Sequence, residues 1–223
     1  MKILAFEFSS PQRSVAVLQS NVAGKLTSSE VIETGTRGTN AIGMIDAALR
    51  QAQIEREQID CLAVGLGPGS YNGIRLAIAL AQGWQLATGQ NGVKLLGISS
   101  PECIAAQAQE EGLVGRVTVV IDAQRGEFYV AIYDLGPESR QRLGPLRVTA
   151  LEEVRQLETA GGLLIGPEVV KWFPSGRLFF PRAAVLGRLA RGRTDFVAGE
   201  KLEPIYLRET KFVKAPPPRI WKS

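Results

Sequence analysis

The period of the hydrophobic pattern changes within each half of the chain, and this change limits the fold more than any other feature. Residues 2–8 alternate well enough for a strand and residues 14–19 are apolar enough for a second one, which predicts two strands joined by a polar turn. From Ala41 to Ala52 apolar residues recur at helical spacing, which predicts a helix. The same pattern, strand hairpins followed by a helix, occurs again after residue 114. The sequence therefore predicts an α/β chain of two related lobes, the second abbreviated.

The remaining elements follow from the same patterns and from turn residues. Further strands are predicted over residues 25–33, 61–65, 94–98, 116–121, 127–133, 143–148 and 163–165. Further helices are predicted over residues 74–88, 99–111 and 151–157. The expected domains are an N-terminal lobe of residues 1–112 and a smaller C-terminal lobe of residues 113–223 that ends in a basic tail.

The chain of 223 residues contains no histidine, which excludes histidine-dependent zinc sites and Ser-His-Asp hydrolases. Cys61 and Cys103 lie in apolar stretches and indicate neither a disulfide framework nor a CxxC site. We therefore predict neither a histidine-based metal site nor a histidine-activated catalytic residue. Because the sequence shows neither a signal peptide nor a run of membrane-spanning length, we expect a cytoplasmic protein without membrane contact.

The predicted helix over residues 74–88 is apolar on nearly all sides, and such a helix is normally buried on more than one side. It packs either between a sheet and the other lobe or against a partner protein, and the sequence leaves both explanations open. Met44 and Ala47 widen the apolar face of the preceding helix, which favours a partner. The candidate interface residues are Met44, Ala47, Ile74, Ile78 and Ala81.

A glycine-rich loop precedes this helix, and Gly67, Gly69 and Ser70 could present backbone N–H groups to a phosphate. The loop lacks the lysine of a Walker motif, and no acidic residue follows at the spacing of a dinucleotide fingerprint. A tight turn that needs glycine dihedral angles is the favoured interpretation.

Five segments in the same order carry a family resemblance across residues 2–208. They read KILAFEFSSPQRSVAVL, GLGPGSYNGIRLAIALAQG, LLGISSPE, VVIDAQRGEFYVAIYD and EPIYLR. Together they resemble the TsaB (YeaZ) family of bacterial tRNA threonylcarbamoyladenosine biosynthesis subunits. The resemblance implies an actin-like, sugar-kinase-like (ASKHA) fold of two ribonuclease-H-like lobes.

The resemblance also implies a scaffold or activator subunit that is not an enzyme by itself. Such a subunit pairs through helices of its first lobe with a TsaD-type catalytic subunit and works with a TsaE-type ATPase. The assembly transfers threonylcarbamoyl to the adenosine next to the anticodon, so this chain would reach tRNA indirectly through the complex. Alone, its apolar helical surface would pair with itself, which predicts a homodimer.

Kinases of this fold class bring a carboxylate and hydroxyls to metal-bound phosphate in their first hairpin. The matching positions here are Glu7, Ser9 and Ser10, while Phe8 replaces a hydroxyl by a bulky ring. With Gly67, Gly69 and Ser70 they form a degenerate phosphate loop, so we expect no tightly bound cofactor and ATP or ADP only at a subunit interface. The alternative is a small ATP-dependent kinase that uses this hairpin and the loop from Gly67 to Gly73. Asp122 matches a family turn and is expected to be structural.

Basic residues concentrate near the C-terminus, where residues 182–223 carry 10 basic and 4 acidic side chains. These cations either contact tRNA phosphates weakly or form the solvated face of a helix and a solvated tail. They are Arg182, Arg188, Arg191, Arg193, Lys201, Arg208, Lys211, Lys214, Arg219 and Lys222.

Overall fold

The structure, a computed structural model, describes residues 1–20, 24–35, 38–89 and 92–207. The strands in these ranges are β1 (Ile3–Glu7), β2 (Gln12–Ser20), β3 (Leu26–Thr34), β4 (Cys61–Gly65), β5 (Lys94–Ile98), β6 (Gly115–Asp122), β7 (Glu127–Leu135), β8 (Arg140–Arg142), β9 (Arg147–Ala150), β10 (Leu163–Gly166) and β11 (Arg177–Leu178). The α-helices are α1 (Ala41–Ala52), α2 (Tyr71–Thr88), α3 (Ser100–Glu110), α4 (Leu151–Thr159), α5 (Val169–Trp172) and α6 (Ala183–Arg191). The predicted tail cations from Arg208 onward lie outside the described residues.

The first sheet has the strand order β3-β2-β1-β4-β5. β1, β2 and β3 form an antiparallel meander, whereas β4 and β5 run parallel to β1. Parallel neighbours need crossover connections, and α1 and α2 provide them on the same face of the sheet. Leu4 and Phe6 of β1 face these helices, while Ile3 and Ala5 face a second core on the opposite side. β1 is therefore buried on both faces.

The second sheet has the strand order β11-β10-β6-β7-β8, and β9 pairs with β7 outside this path. β6 and β7 are antiparallel, whereas β10 and β11 run parallel to β6. One face of this sheet packs against α3 and the other against α4 and α5. Two mixed sheets covered by helices confirm the predicted two-lobe α/β fold.

Helix α3 is shared by the two sheets. Cys103 and Ala106 lie in the core beneath the first sheet, whereas Ile104 and Ala108 lie in the core of the second. All four side chains are at most 2% exposed. Helix α3 is thus buried on two sides, which the sequence had predicted for the helix over residues 74–88 instead.

Helix α6 returns to the first sheet although it lies in the second half of the sequence. Val185 and Leu186 join the core beneath β1 and β2, and the hydroxyl of Ser14 accepts a hydrogen bond of 2.8 Å from the N–H of Ala183. The two sheets lie on either side of the predicted boundary at residue 112, while α6 contributes to the first of them. The boundary itself stays a prediction.

Helix α2 begins at Tyr71, three residues before the predicted start, because the Ser70 hydroxyl accepts a hydrogen bond from the Gly73 N–H and caps the helix. Its buried residues all face the first sheet. Ala79, Gly83 and Leu86 are exposed on its other side, and 84% of Leu86 is accessible. Packing between the sheet and the second lobe therefore does not explain the apolar character of α2.

The second half differs from the sequence-based prediction in its short elements. The strand predicted over residues 143–148 is replaced by β8 and β9, which Gly144 and Pro145 separate. Helix α5 and strand β11 were not predicted, because four and two residues are too short for a periodic signal. Among the described helices, none has the length and hydropathy needed to cross a lipid bilayer.

Replacing Gly73 by Ala is expected to lower the free energy of unfolding by about 2 kcal/mol or more, because a Cβ at this position would overlap the carbonyl oxygen of Phe8. Gly83→Ala in the same helix is the matched control, since no atom lies within contact distance of its Cβ. The control should raise the free energy of unfolding by about 1 kcal/mol. Urea denaturation of both variants measures the difference, and equal effects would contradict the packing described.

Candidate functional site: the cleft between the two sheets

A cleft of about 580 Å³ opens between the two sheets. The turn after β1 and the glycine-rich loop before α2 form its first wall. The turn between β6 and β7 and the residues after β10 form the second wall, and residues 204–206 cross its rim. This volume lies in the range of small-molecule sites. The cleft is therefore the place where a ligand would meet both lobes.

The Glu7 carboxylate points into the protein interior. Its Oε1 accepts a hydrogen bond of 2.8 Å from the Ser9 N–H, and its Oε2 accepts one of 3.1 Å from the Ser100 hydroxyl. It lies so close to Gly65 that a Cβ there would overlap Oε2. Burial raises the pKa of Glu7 above its usual value, while the hydrogen bonds from Ser9 and Ser100 oppose this rise. Glu7 is fully buried and is absent from the cleft lining.

The glycine-rich loop lies directly against the first hairpin. The Ser70 N–H donates a hydrogen bond of 2.7 Å to the carbonyl oxygen of Ser9, and a Cβ at Gly69 would overlap that same oxygen. Gly67 has a φ of 81°, in the left-handed region that favours glycine. The loop needs its glycines for a turn and for close backbone contact, as the favoured interpretation predicted.

The structure brings most of the predicted phosphate-loop residues together. Ser9, Ser10, Gly69 and Ser70 line the cleft, whereas Glu7 and Gly67 do not. The Ser10 hydroxyl donates to the carbonyl oxygen of Gln12 at 2.7 Å, and the Ser70 hydroxyl caps α2. Both hydroxyls thus have partners within the chain, and a role in phosphate binding stays a prediction.

Two carboxylates, Asp122 and Glu168, line the second wall of the cleft, because Asp122 is the last residue of β6 and Glu168 follows the carboxyl end of the neighbouring parallel strand β10. Asp122 Oδ1 accepts a hydrogen bond of 2.6 Å from the Gln124 N–H, which shapes the turn after β6. Burial raises the pKa of Glu168, the charge of Asp122 raises it further, and Lys171 opposes the change. The sequence analysis did not identify Glu168. The feature that could have pointed to it is its position directly after a short strand and Gly166-Pro167.

Within the described ranges, no three His, Cys, Asp or Glu side chains cluster closely enough to hold a metal ion.

The predicted interface residues lie mostly inside the chain. Met44, Ile74, Ile78 and Ala81 are at most 6% exposed and belong to the core beneath α1 and α2, and Ala47 is half-buried. Sequence periodicity selected these residues because the side chains that cover the sheet are also the most apolar, and their burial leaves little surface for a partner. Partner binding by α1 and α2 stays a prediction. The exposed residues on the outer face of α2 are Arg75, Ala79, Gly83, Leu86 and Ala87.

A family model matches most of the chain. Residues 38–207 match the family model described as TsaD: tRNA N6-adenosine threonylcarbamoyltransferase. The tRNA threonylcarbamoyladenosine biosynthesis protein TsaB of Escherichia coli is 32% identical over 186 residues, which cover 74% of this chain and 78% of that protein. The TsaB protein of Haemophilus influenzae is 33% identical over 129 residues, 58% of this chain and 52% of that protein.

Solved structures from Pseudomonas aeruginosa are similar over nearly the whole chain. YeaZ from this organism has a TM-score of 0.75 and 27% identity, and the alignment covers 92% of this chain and 99% of that one. A second structure, described as an uncharacterized protein with similarity to peptidase YEAZ, has a TM-score of 0.75 and 28% identity, with coverage of 93% and 99%.

Glu7→Gln is expected to make the protein more stable than wild type at pH 8, and the gain should shrink as the pH falls towards 4.5. The pKa of Glu7 is raised in the folded state, so folding is most favourable when the carboxyl is protonated and becomes less so as the pH rises through the folded pKa. Glutamine keeps an acceptor for the Ser9 N–H without the charge. Urea denaturation at several pH values measures the effect, with Glu57→Gln at an exposed position as control. A pH-independent loss of stability in Glu7→Gln would contradict this account.

Proposed function

Since the chain belongs to the TsaB (YeaZ) family of tRNA threonylcarbamoyladenosine biosynthesis proteins, we propose that it is a non-catalytic subunit of the machinery that makes this modification. In this role it holds a TsaD-type catalytic subunit in its competent state while that subunit transfers threonylcarbamoyl to the adenosine next to the anticodon. A scaffold can do this only by binding the competent conformation more tightly than others.

The direction of the Glu7 carboxylate is the observation that carries the non-catalytic role. A kinase of this architecture would need a carboxylate in the first hairpin that reaches metal-bound phosphate in the cleft. Here the carboxylate accepts hydrogen bonds from Ser9 and Ser100 in the interior, and Phe8 beside it is fully buried. Turning Glu7 into the cleft would break both hydrogen bonds and open space beneath Gly65.

The two cysteine thiols of the chain also support a non-catalytic role. They matter because the description of one similar structure contains the word peptidase. Cys61 and Cys103 are fully buried, and burial raises the pKa of Cys61 to about 11 and that of Cys103 well above its usual value. Without a histidine in the chain, neither thiol has the base that nucleophilic peptidases use. We therefore do not propose a peptidase activity for this protein.

The outer face of α2 is the proposed docking surface. Ala79, Gly83 and Ala87 are small and exposed, so a partner helix could approach to the 8 to 10 Å typical of packed helices. Leu86 on α2 and Ile42 on α1 add exposed apolar area, with 84% and 55% of each residue accessible. The same surface is suited to self-association about a two-fold axis when the catalytic subunit is absent.

The other parts of the proposal concern cofactors and further partners. The chain alone binds no cofactor tightly, and ATP or ADP binds only at the boundary between this subunit and its partners. A TsaE-type ATPase acts on the assembled pair. The cleft volume is the observation that favours the alternative, a small ATP-dependent kinase, and direct nucleotide binding separates the two functions.

Gly83→Arg is expected to abolish association with the TsaD-type subunit, because the long charged side chain would keep a partner helix away from α2. The position is exposed and has open space around it, so the fold should be kept. Analytical ultracentrifugation of the mixed subunits measures association, and the same variant alone should lose any homodimer. Val114→Arg, an exposed apolar position outside α1 and α2, is the control and should associate normally. Unchanged association of Gly83→Arg would remove α2 as the docking surface.

Isothermal titration calorimetry of the isolated chain with Mg-ATP is expected to show no binding with a Kd of about 10 μM or tighter. A Kd of about 10 μM corresponds to a binding free energy of about −7 kcal/mol. The reason is that the Glu7 carboxylate is withdrawn from the cleft. If Mg-ATP bound with a micromolar Kd, and if the variant Ser70→Arg at the cleft wall lost this binding, the result would favour the kinase function over the scaffold function.

A further inference from the structure

The cleft between the two sheets carries negative charge that the described part of the chain does not neutralise. The charged side chains among its described lining residues are Asp122, Glu168 and Arg13. The Arg13 guanidinium pairs with the Glu33 carboxylate, 4.0 Å away. Neither Asp122 nor Glu168 forms an ion pair within the described ranges. The two cleft carboxylates thus have no cation of their own.

These two carboxylates are neighbours on the second sheet. Val119 of β6 pairs with Ile165 of β10, and Asp122 and Glu168 each follow their paired residue by three positions. Because adjacent strands lie about 4.8 Å apart, residues at the same level of a sheet come close together. Burial raises the pKa of Glu168, and the charge of Asp122 raises it further, which reports the same proximity. Two neighbouring negative charges in a half-buried wall favour a ligand that brings a positive charge between them.

The other groups that line the cleft are suited to hydrocarbon. Tyr129, on the strand beside β6, contributes a half-buried ring to the second wall. Pro11 lies in the first wall, and Pro204 and Ile205 lie at the rim. The face of an aromatic ring attracts a cation within about 6 Å of its centre, and proline and isoleucine side chains pack against methylene groups. The lining thus combines two anionic groups with an aromatic ring and apolar surface.

The same lining disfavours both nucleotides and divalent metal ions. Asp122 and Glu168 repel phosphate groups, since like charges in a half-buried cleft are poorly screened. A divalent metal ion prefers several oxygen ligands around it. Within the described residues, no three His, Cys, Asp or Glu side chains cluster to supply them. An organic cation needs only the two carboxylates and a surface for its apolar part.

We propose that the cleft binds a small organic primary amine. The ammonium group lies between the carboxylates of Asp122 and Glu168, and the hydrocarbon part contacts the Tyr129 ring and the prolines of the cleft. A primary ammonium carries three N–H donors, so it can bond both carboxylates at once through strong, charge-assisted hydrogen bonds. The volume of about 580 Å³ leaves room for such a molecule. This site goes beyond the scaffold role and does not depend on it.

The site is tested on the full-length chain alone at neutral pH, with n-hexylammonium chloride as the probe and amide NMR chemical shifts as the readout. Wild type is expected to bind the probe with a Kd on the order of 1 mM, an affinity typical of a molecule of this size. The largest shifts should fall in residues 122–124 and 166–168, which include the two carboxylates. The alcohol n-hexanol, which has the same chain without the charge, should bind at least about tenfold more weakly.

Matched substitutions identify the groups that hold the amine. Glu168→Gln and Asp122→Asn keep the size of each side chain and should each raise the Kd about tenfold, because a charge-assisted hydrogen bond is lost. Tyr129→Leu should raise the Kd about threefold through loss of the aromatic face, whereas Tyr129→Phe should stay within about twofold of wild type. Glu138→Gln removes an exposed carboxylate of the same lobe outside the cleft and should leave the Kd unchanged.

Any of four results would overturn the proposal. The first is the absence of shifts in the cleft at a probe concentration about twenty times the expected Kd. The second is equal affinity for n-hexanol, and the third is an unchanged Kd in Glu168→Gln. The fourth is displacement of the probe by an equal concentration of Mg²⁺, which would assign the carboxylates to a metal ion. The amide spectrum of each variant shows whether it is folded. These assays contain no partner subunit, so their failure leaves the scaffold role unaffected.

Discussion

The close contact between the first hairpin and the glycine-rich loop positions most of what surrounds it. The Ser70 N–H binds the carbonyl oxygen of Ser9, and the loop backbone lies where a side chain at Gly69 or Gly73 would overlap the hairpin. This contact fixes the start of α2 and therefore which side of that helix covers the sheet. It also forms one wall of the cleft. The same glycines that suggest phosphate binding in a sequence here bring two backbone segments together.

The larger elements could be predicted because their signals are local. Strands β4 and β5 have the predicted bounds, and α1 spans Ala41–Ala52 as predicted. The start of α2 was placed too late because Gly73, which reads as a loop residue, lies inside the first helical turn. Short elements such as α5 and β11 could not be predicted, because they depend on packing in the second lobe and their few residues contain no local pattern that indicates it.

Several residues of the cleft could be predicted, but the directions in which side chains point could not. The family resemblance grouped Ser9 with Ser70, and both line the cleft. It could not show that Glu7 turns inward, because that orientation depends on Ser100, which is 93 residues away and supplies one of its hydrogen bonds. Nor could it separate the two sides of α2, since Ile78 and Leu86 are similar in hydrophobicity and differ only in what covers them. Orientation of this kind is decided by tertiary contacts.

Helix α3 has a consequence for how the molecule moves. Enzymes that close around a ligand need two bodies able to rotate about a hinge, and a hinge requires few packed contacts between them. Here one helix contributes Cys103 to one core and Ile104 to the other, so rotating the lobes would disturb both cores at once. The lobes are consequently expected to unfold in a single cooperative transition. A body of this kind presents its outer surface in one fixed shape, as the scaffold role proposed above requires.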